Sequence, residues 1–171
     1  VWADQALLAN EYRFYVEGYM DGDVPYSYLK SRAVDWTVCP TGDLEQRYRV
    51  HRHQWMVPQG KAYRTSLDET YASEWGTVYE DWLGKYPRPT GDVDYDADPA
   101  SQPEESREAL YAWRPADVAC RVEAQCDLLY YFMQSTSFTP QLLSKFLANL
   151  AEQAEHVRTH YSEDVETKAA E

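Results

Sequence analysis

The chain has 171 residues, 29 acidic against 16 basic side chains, and a net charge of −13. That length sets one domain as the expectation, and that charge argues against sequence-independent nucleic-acid binding or attachment to an anionic membrane surface, which both need surplus cations. Isoleucine is absent and Leu, Val and Phe number only 13, 13 and 4, below the ~20% share at which a highly charged chain risks staying unfolded.

The shortfall is made up by 15 Tyr and 6 Trp. Their rings bury large areas, but each hydroxyl or indole N–H needs a partner, so the expected core is small and wet at its margins. Tyr and Trp are also typical interface anchors. Three cysteines, Cys39, Cys120 and Cys126, are an odd set without regular spacing, which does not read as a disulfide framework. No run of ~20 apolar residues is present, and membrane insertion is not expected. The expected location is an intracellular reducing compartment: the cytoplasm, or an organelle matrix after removal of a targeting segment, since the chain opens at Val1 without Met.

In chain order, residues 3–19 read as a helix with Leu8, Tyr12, Tyr15 and Tyr19 on one stripe, stopped by Asp21-Gly22-Asp23. Residues 25–36 predict a second, shorter helix with Pro25 at its start. The turn Pro40-Thr41-Gly42-Asp43 recurs as Pro89-Thr90-Gly91-Asp92, but the flanks do not match, so no duplication is implied. Residues 44–67 predict two strands around Pro58-Gln59-Gly60-Lys61, a small antiparallel β-ribbon with neither face cleanly apolar. Helical spacing returns over 70–86 through Tyr71, Trp75, Val78, Tyr79 and Trp82. Residues 87–104, rich in Pro and Asp, read as an acidic arm or linker; the run Asp92-x-Asp94-x-Asp96 lacks the Gly and Glu of a calcium loop.

Residues 105–161 predict an antiparallel helical hairpin that packs with 1–86 as one domain. Its first long helix spans 115–133, with Val118, Val122, Cys126, Leu129 and Met133 on the apolar face. The last turn and a half, Leu128 to Met133, is apolar on every side and needs cover from several directions. Thr139 caps the next helix and Pro140 opens it; Leu143, Phe146, Leu147, Leu150, Ala154, Val157 and Tyr161 form its stripe. Residues 162–171 are a polar tail. The expected fold class is therefore mainly α with a small β-ribbon (α+β).

Two constellations could carry chemistry. The histidines fall in pairs with ligand spacing, His51-x-His53 and His156-x-x-x-His160, which could hold one transition-metal ion if the pairs met. Against this, Arg49 and Arg52 repel a dication, and His156 and His160 fall toward a solvated edge of their helix. No metal and no cofactor is therefore the expectation. The second constellation is a basic island, Arg47, Arg49, Arg52, Lys61 and Arg64, without an acid between Glu45 and Asp68. Internal pairing with the acidic stretch 92–108 is favoured over an acidic partner or phosphate, because charges on one chain are at high effective concentration. No nucleophile elbow, P-loop or dinucleotide fingerprint is present.

The composition points to a non-catalytic protein-binding protein, an accessory or structural subunit of a larger assembly, with Leu128, Tyr130, Tyr131, Phe132 and Met133 as its partner surface. An acidic inhibitor or immunity protein, in one version a nucleic-acid mimic, is the alternative. A small metal-dependent enzyme using the histidine pairs is the third reading.

Overall fold

Polar caps set some of the helix starts in this protein, and left-handed residues mark two of the breaks between helices. The computed structural model describes residues 3, 11–12, 26–27, 29–30, 33–37, 44–91 and 93–168. The first helix after the N-terminal region, α1 (Leu44–His51), turns Tyr48, Val50 and His51 inward. The chain leaves it through His53 in the left-handed region, φ 60, a conformation that costs a residue with a Cβ about 1–2 kcal/mol. A short 3₁₀ turn, Gln54–Met56, then buries Trp55 and Met56. Helix α2 (Val57–Ser66) has Pro in its first turn and ends at Leu67, also left-handed with φ 57.

The β-ribbon predicted over 44–67 is therefore not present: the stretch is helical, and its supposed turn lies inside α2. Tyr48, Trp55 and Tyr63 are buried in a helical pattern, and tertiary burial overrides the weak strand propensity of scattered aromatic residues. Gly60 sits where α2 crosses the later helix carrying Tyr131. A Cβ there would lie 2.8 Å from Tyr131 Cδ2, so the missing side chain sets the closeness of that crossing.

Helix α3 (Glu69–Lys85) opens on Asp68, whose carboxylate accepts from the Thr70 N–H at 3.0 Å. It buries Ala72, Trp75, Val78, Tyr79 and Trp82, in line with the predicted periodicity. The following segment is irregular apart from a 3₁₀ turn at Pro99–Ser101. Its Asp94 and Asp98 accept from the N–H groups of Asp96 and Ala100, so these acids shape their own turns. Arg107 donates to the carbonyls of Pro99 and Gln102 and ties the segment to α4 (Glu104–Trp113).

A break at Arg114 leads into α5 (Pro115–Phe132), and α6 (Pro140–Lys168) closes the chain. The Thr139 hydroxyl accepts from Leu142 N–H at 3.2 Å. Helices α5 and α6 run antiparallel: Arg121 meets Gln153, whereas Phe132 and Phe146 both pack on Trp75. The protein is mainly helical.

On both hairpin helices the buried face only partly coincides with the predicted stripe: Val118 and Phe146 are fully buried, and Val122, Leu129, Leu143, Leu150 and Val157 pack half-buried against the core. On α5 the buried set is Asp117, Val118, Arg121, Ala124, Gln125, Leu128 and Phe132; Cys126 is exposed and Met133 is 63% exposed. On α6 the buried set is Leu142, Phe146, Asn149, Gln153 and His156, while Leu147 is exposed. Each face is rotated by about one residue, because polar side chains occupy half of the buried positions and an apolar periodicity cannot register them.

Most of the N-terminal helix predicted over 3–19 lies outside the described residues, as do Cys39 and the turn at 40–43. Ala3 is helical, but short antiparallel ladders occur at several described positions that follow, and Glu11–Tyr12 is extended where the helix over 3–19 was expected. Glu11–Tyr12 pairs with Tyr26–Ser27, and Leu29–Lys30 pairs with Ala33–Val34. The predicted helix over 25–36 is accordingly replaced by extended backbone at these positions. Trp36 is buried beyond the second ladder, and its indole donates to Asp81 on α3 at 2.7 Å.

Candidate functional site

The functional geometry centres on a polar seam between α5 and α6. Arg121 and Gln125 are one helical turn apart on α5; Asn149, Gln153 and His156 occupy successive inward positions on α6. Arg121 is fully buried. Its Nη1 donates to the carbonyls of His51 (2.9 Å) and Ala112 (2.7 Å), and its Nε donates to Gln153 Oε1 (2.5 Å). The guanidinium carbon lies 4.5 Å from the Trp82 ring centre and 5.4 Å from that of Trp113. Burial pulls its pKa down to about 9, which leaves a cation at neutral pH held by carbonyls and ring faces.

Gln153 relays the seam onward. Its Nε2 donates to Gln125 Oε1 at 2.9 Å and to Asn149 Oδ1, which also accepts the Tyr79 hydroxyl at 3.0 Å. Gln125 Nε2 in turn approaches His53 Nδ1 at 3.4 Å. At the other end, His156 Nε2 lies 2.8 Å from the Trp113 carbonyl. A carbonyl can only accept, so that nitrogen carries the proton.

All four predicted ligand histidines are thereby placed. Trp82 Nε1–H donates to His51 Nδ1 at 3.2 Å, and both His51 and His53 are fully buried between Trp36, Tyr86 and Trp82. The His156 and His160 rings lie 4.2 Å apart, tilted by 31°, and both meet the Tyr95 ring edge-on. Burial holds His51 and His53 well below the usual histidine range and His156 at about 4, so all three are neutral. His156 is fully buried and not at a solvated edge as expected. The metal reading of the pairs fails on geometry: among the described residues no three His, Cys, Asp or Glu side chains converge as ligands.

The basic island forms a second, charge-paired seam where α1 meets α4 and α5. Arg47 reaches Glu108, at the far end of the predicted acidic stretch. Arg49 and Arg52 turn to Glu45 instead, and Arg52 and Arg114 clamp the buried Asp117 carboxylate at 2.5 Å each. Arg64 donates to Gln134 at 2.7 Å and lies over the Tyr130 ring.

The expected partner surface divides. Leu128 and Phe132 are fully buried, and Phe132 is covered by Tyr63 and Trp75. Tyr131 packs on Gly60, and Tyr130 and Met133 are exposed. Helices α2 and α3 thus supply the cover that the all-round apolar turn requires. Sequence reasoning missed Asp117, Arg121, Gln125, Asn149 and Gln153. The available signal was two polar pairs at i, i+4 spacing, 121/125 and 149/153, each next to the supposed apolar stripe.

The family model of the heparinase II/III N-terminus matches residues 1–170. The chain belongs to the heparinase II/III N-terminal family. It is 38% identical over 163 residues to a heparin-sulfate lyase of Bacteroides stercoris, covering 94% of this chain and 23% of that protein. It is likewise 38% identical over 158 residues to a heparin-sulfate lyase of Bacteroides thetaiotaomicron, covering 90% and 20%. A solved heparinase III with methylated lysines superposes at TM-score 0.74 with 36% identity, over 94% of this chain and 24% of that one. The heparan sulfate lyase of Pedobacter heparinus gives 0.70 and 30%, over 93% and 22%. The chain therefore spans about a quarter of the length of these relatives.

Membership of this heparinase family overturns the functional reading made from composition. An accessory or structural subunit, an acidic inhibitor or immunity protein, a nucleic-acid mimic and a small metal-dependent enzyme all give way to a family whose matched relatives are lyases. The non-catalytic assignment falls with them. The misleading features were the aromatic turn, whose Leu128 and Phe132 are buried in the core, and the surplus acids, many of which pair internally or shape turns.

Proposed function

We propose that this chain is the N-terminal helical part of a lyase that cleaves an acidic polysaccharide, with heparan sulfate as the leading substrate. The 38% identity to a heparin-sulfate lyase, held over 94% of the chain, carries this reading. A lyase acting on a uronate-containing chain removes the proton beside the uronate carboxylate and expels the neighbouring glycosidic oxygen, leaving a carbon–carbon double bond in the sugar. That chemistry needs a base open to substrate. His51, His53 and His156 are neutral but sealed from solvent, so we assign them to positioning helices and place the proton transfer outside this seam. The charge of −13 would repel a long polyanion, which assigns most of the substrate's length to other parts of the polypeptide.

The test is incubation of the polypeptide that carries this chain with heparan sulfate, chondroitin sulfate and alginate. The ultraviolet absorbance of the conjugated uronate double bond is followed. Fastest growth on heparan sulfate is the expected result. No elimination product from any of the three would overturn the reading.

A further inference from the structure

Beside the polar seam, the C-terminal end of α3 and the middle of α6 enclose an open cleft of about 660 Å³, within the ~300–1,000 Å³ usual for small-ligand sites. Its walls combine apolar surface from Leu83 and Tyr86 with five polar groups: Glu80, Arg88, Lys145, Asn149 and Glu152. Three of the five stand out. Arg88 is half-buried and forms no ion pair among the described residues. Its charge reaches Tyr95, Glu155 and His156, yet the Glu155 carboxylate is held by Arg158 at 2.6 and 2.8 Å. Lys145, by contrast, is committed to Glu80 at 2.6 Å.

Asn149 is the second. Its side chain is more than nine-tenths buried, and its Oδ1 accepts from both Tyr79 and Gln153. Those two bonds fix the carboxamide orientation and leave the Nδ2 donors as its remaining polar capacity. Glu152, on the same wall, is exposed and has no hydrogen bond or ion pair to another described residue. A guanidinium outside any salt bridge, an oriented amide donor and an unpaired carboxylate acceptor around a partly apolar floor match the groups of a sugar acid. The carboxylate meets the guanidinium in a two-point fork, and ring hydroxyls meet the amide and the carboxylate. The lining holds as many acids as bases, and the chain as a whole is strongly acidic, so a multiply sulfated polymer is disfavoured.

We propose that this cleft binds a short saccharide bearing one carboxylate, with Arg88 as the carboxylate anchor and Asn149 and Glu152 as hydroxyl contacts. The choice of a uronate over other carboxylates rests on the function proposed above. The test is titration calorimetry of the polypeptide carrying this chain with glucuronate, with glucose as the neutral counterpart, and with heparan sulfate polymer. Glucuronate is expected to bind more tightly than glucose. Arg88→Gln should remove about tenfold to hundredfold of its affinity, the loss typical of a hydrogen bond to a charged group, and Glu152→Gln should weaken both sugars equally. No binding of glucuronate, equal affinity for glucose, binding of the polymer alone, or an unchanged affinity in Arg88→Gln would each overturn the site. Absence of eliminative activity with glucuronate binding intact would instead strike the lyase reading and leave the cleft standing.

Discussion

Near the loop, α5 and α6 meet through Phe132, Phe138, Leu142 and Phe146 around Trp75. Farther from it the same two helices meet through Arg121, Gln125, Asn149, Gln153 and His156. The first half is held by non-directional burial, where edge-to-face and stacked rings add about 0.5–1.5 kcal/mol per pair to area burial. The second is held by hydrogen bonds that exist in only one register, and each buried polar group left without a partner costs about 1–3 kcal/mol. The aromatic half therefore supplies adhesion and tolerates repacking, whereas the polar half selects the alignment of the hairpin and tolerates little.

The largest expected break is Arg121→Ala. It orphans the carbonyls of His51 and Ala112 and the Gln153 oxygen, and it opens a cavity between two tryptophans. A loss of roughly 4–5 kcal/mol in urea unfolding, or failure to fold, is expected. Arg121→Lys should recover only part of this, since an ammonium lacks the planar fork.

The contrast sharpens with two substitutions of nearly conserved volume. Leu128→Met in the apolar half should cost less than about 1.5 kcal/mol. Gln153→Leu in the polar half should cost roughly 2–4 kcal/mol, because Arg121, Gln125 and Asn149 all lose a partner. Equal unfolding midpoints for these two variants would erase the distinction between the halves.

Acid should attack the polar half first. His156 is held at about 4 in the folded chain, against ~6.5 when unfolded. As pH falls below ~6.5 the unfolded chain takes up the proton first, so stability declines down to about pH 4 and is restored as pH rises. His51 and His53 are lowered in the same direction. His156→Gln keeps a donor for the Trp113 carbonyl and should flatten the slope of stability against pH by up to about 1.4 kcal/mol per pH unit. Urea midpoints measured from pH 7 to 4 would read it.

The smallest effect belongs to the loop at the aromatic end. Glu69 accepts from the Ser135 hydroxyl and the N–H groups of Thr136 and Ser137, and the Ser135 bond foremost lowers its pKa to about 2. Its contribution is present above the ordinary carboxylate value of ~4.3 and is lost as pH falls toward 2. Solvent screens this partly exposed group, so Glu69→Gln should cost under about 1 kcal/mol. Thermal melts at pH 7 and pH 2.5 should differ less for the variant than for the parent chain.

How much was legible beforehand varied with the kind of burial. Helix α3 could be read directly, since Trp75, Val78, Tyr79 and Trp82 are both apolar and inward. The Thr139 cap and Pro140 start of α6 were equally plain. The buried faces of α5 and α6 were legible only in part, through Val118 and Phe146, because Arg121, Gln125, Asn149 and Gln153 look like surface residues in a one-dimensional pattern. The helices over 44–66 were missed because their inward set mixes His51, Gln59 and Gly60 with aromatics and carries no clean period. For the same reason the histidines drew attention as ligands, when one ring nitrogen each of His51, His53 and His156 meets an indole, an amide and a carbonyl.

By itself the sequence determined a mainly helical chain, aromatic in its core, acidic at its surface, and ending in two long helices joined by a short loop. Those properties follow from composition, caps and local periodicity, which act over a turn or two of backbone. Tertiary structure decided which face of each helix is buried, that Phe132 is core while Tyr130 and Met133 are surface, and that among the described residues the four histidines belong to no cluster of three ligand side chains. These outcomes depend on groups far apart in sequence, such as Arg121 with His51 and Gln153. The partner that makes a buried charge tolerable lies on another helix.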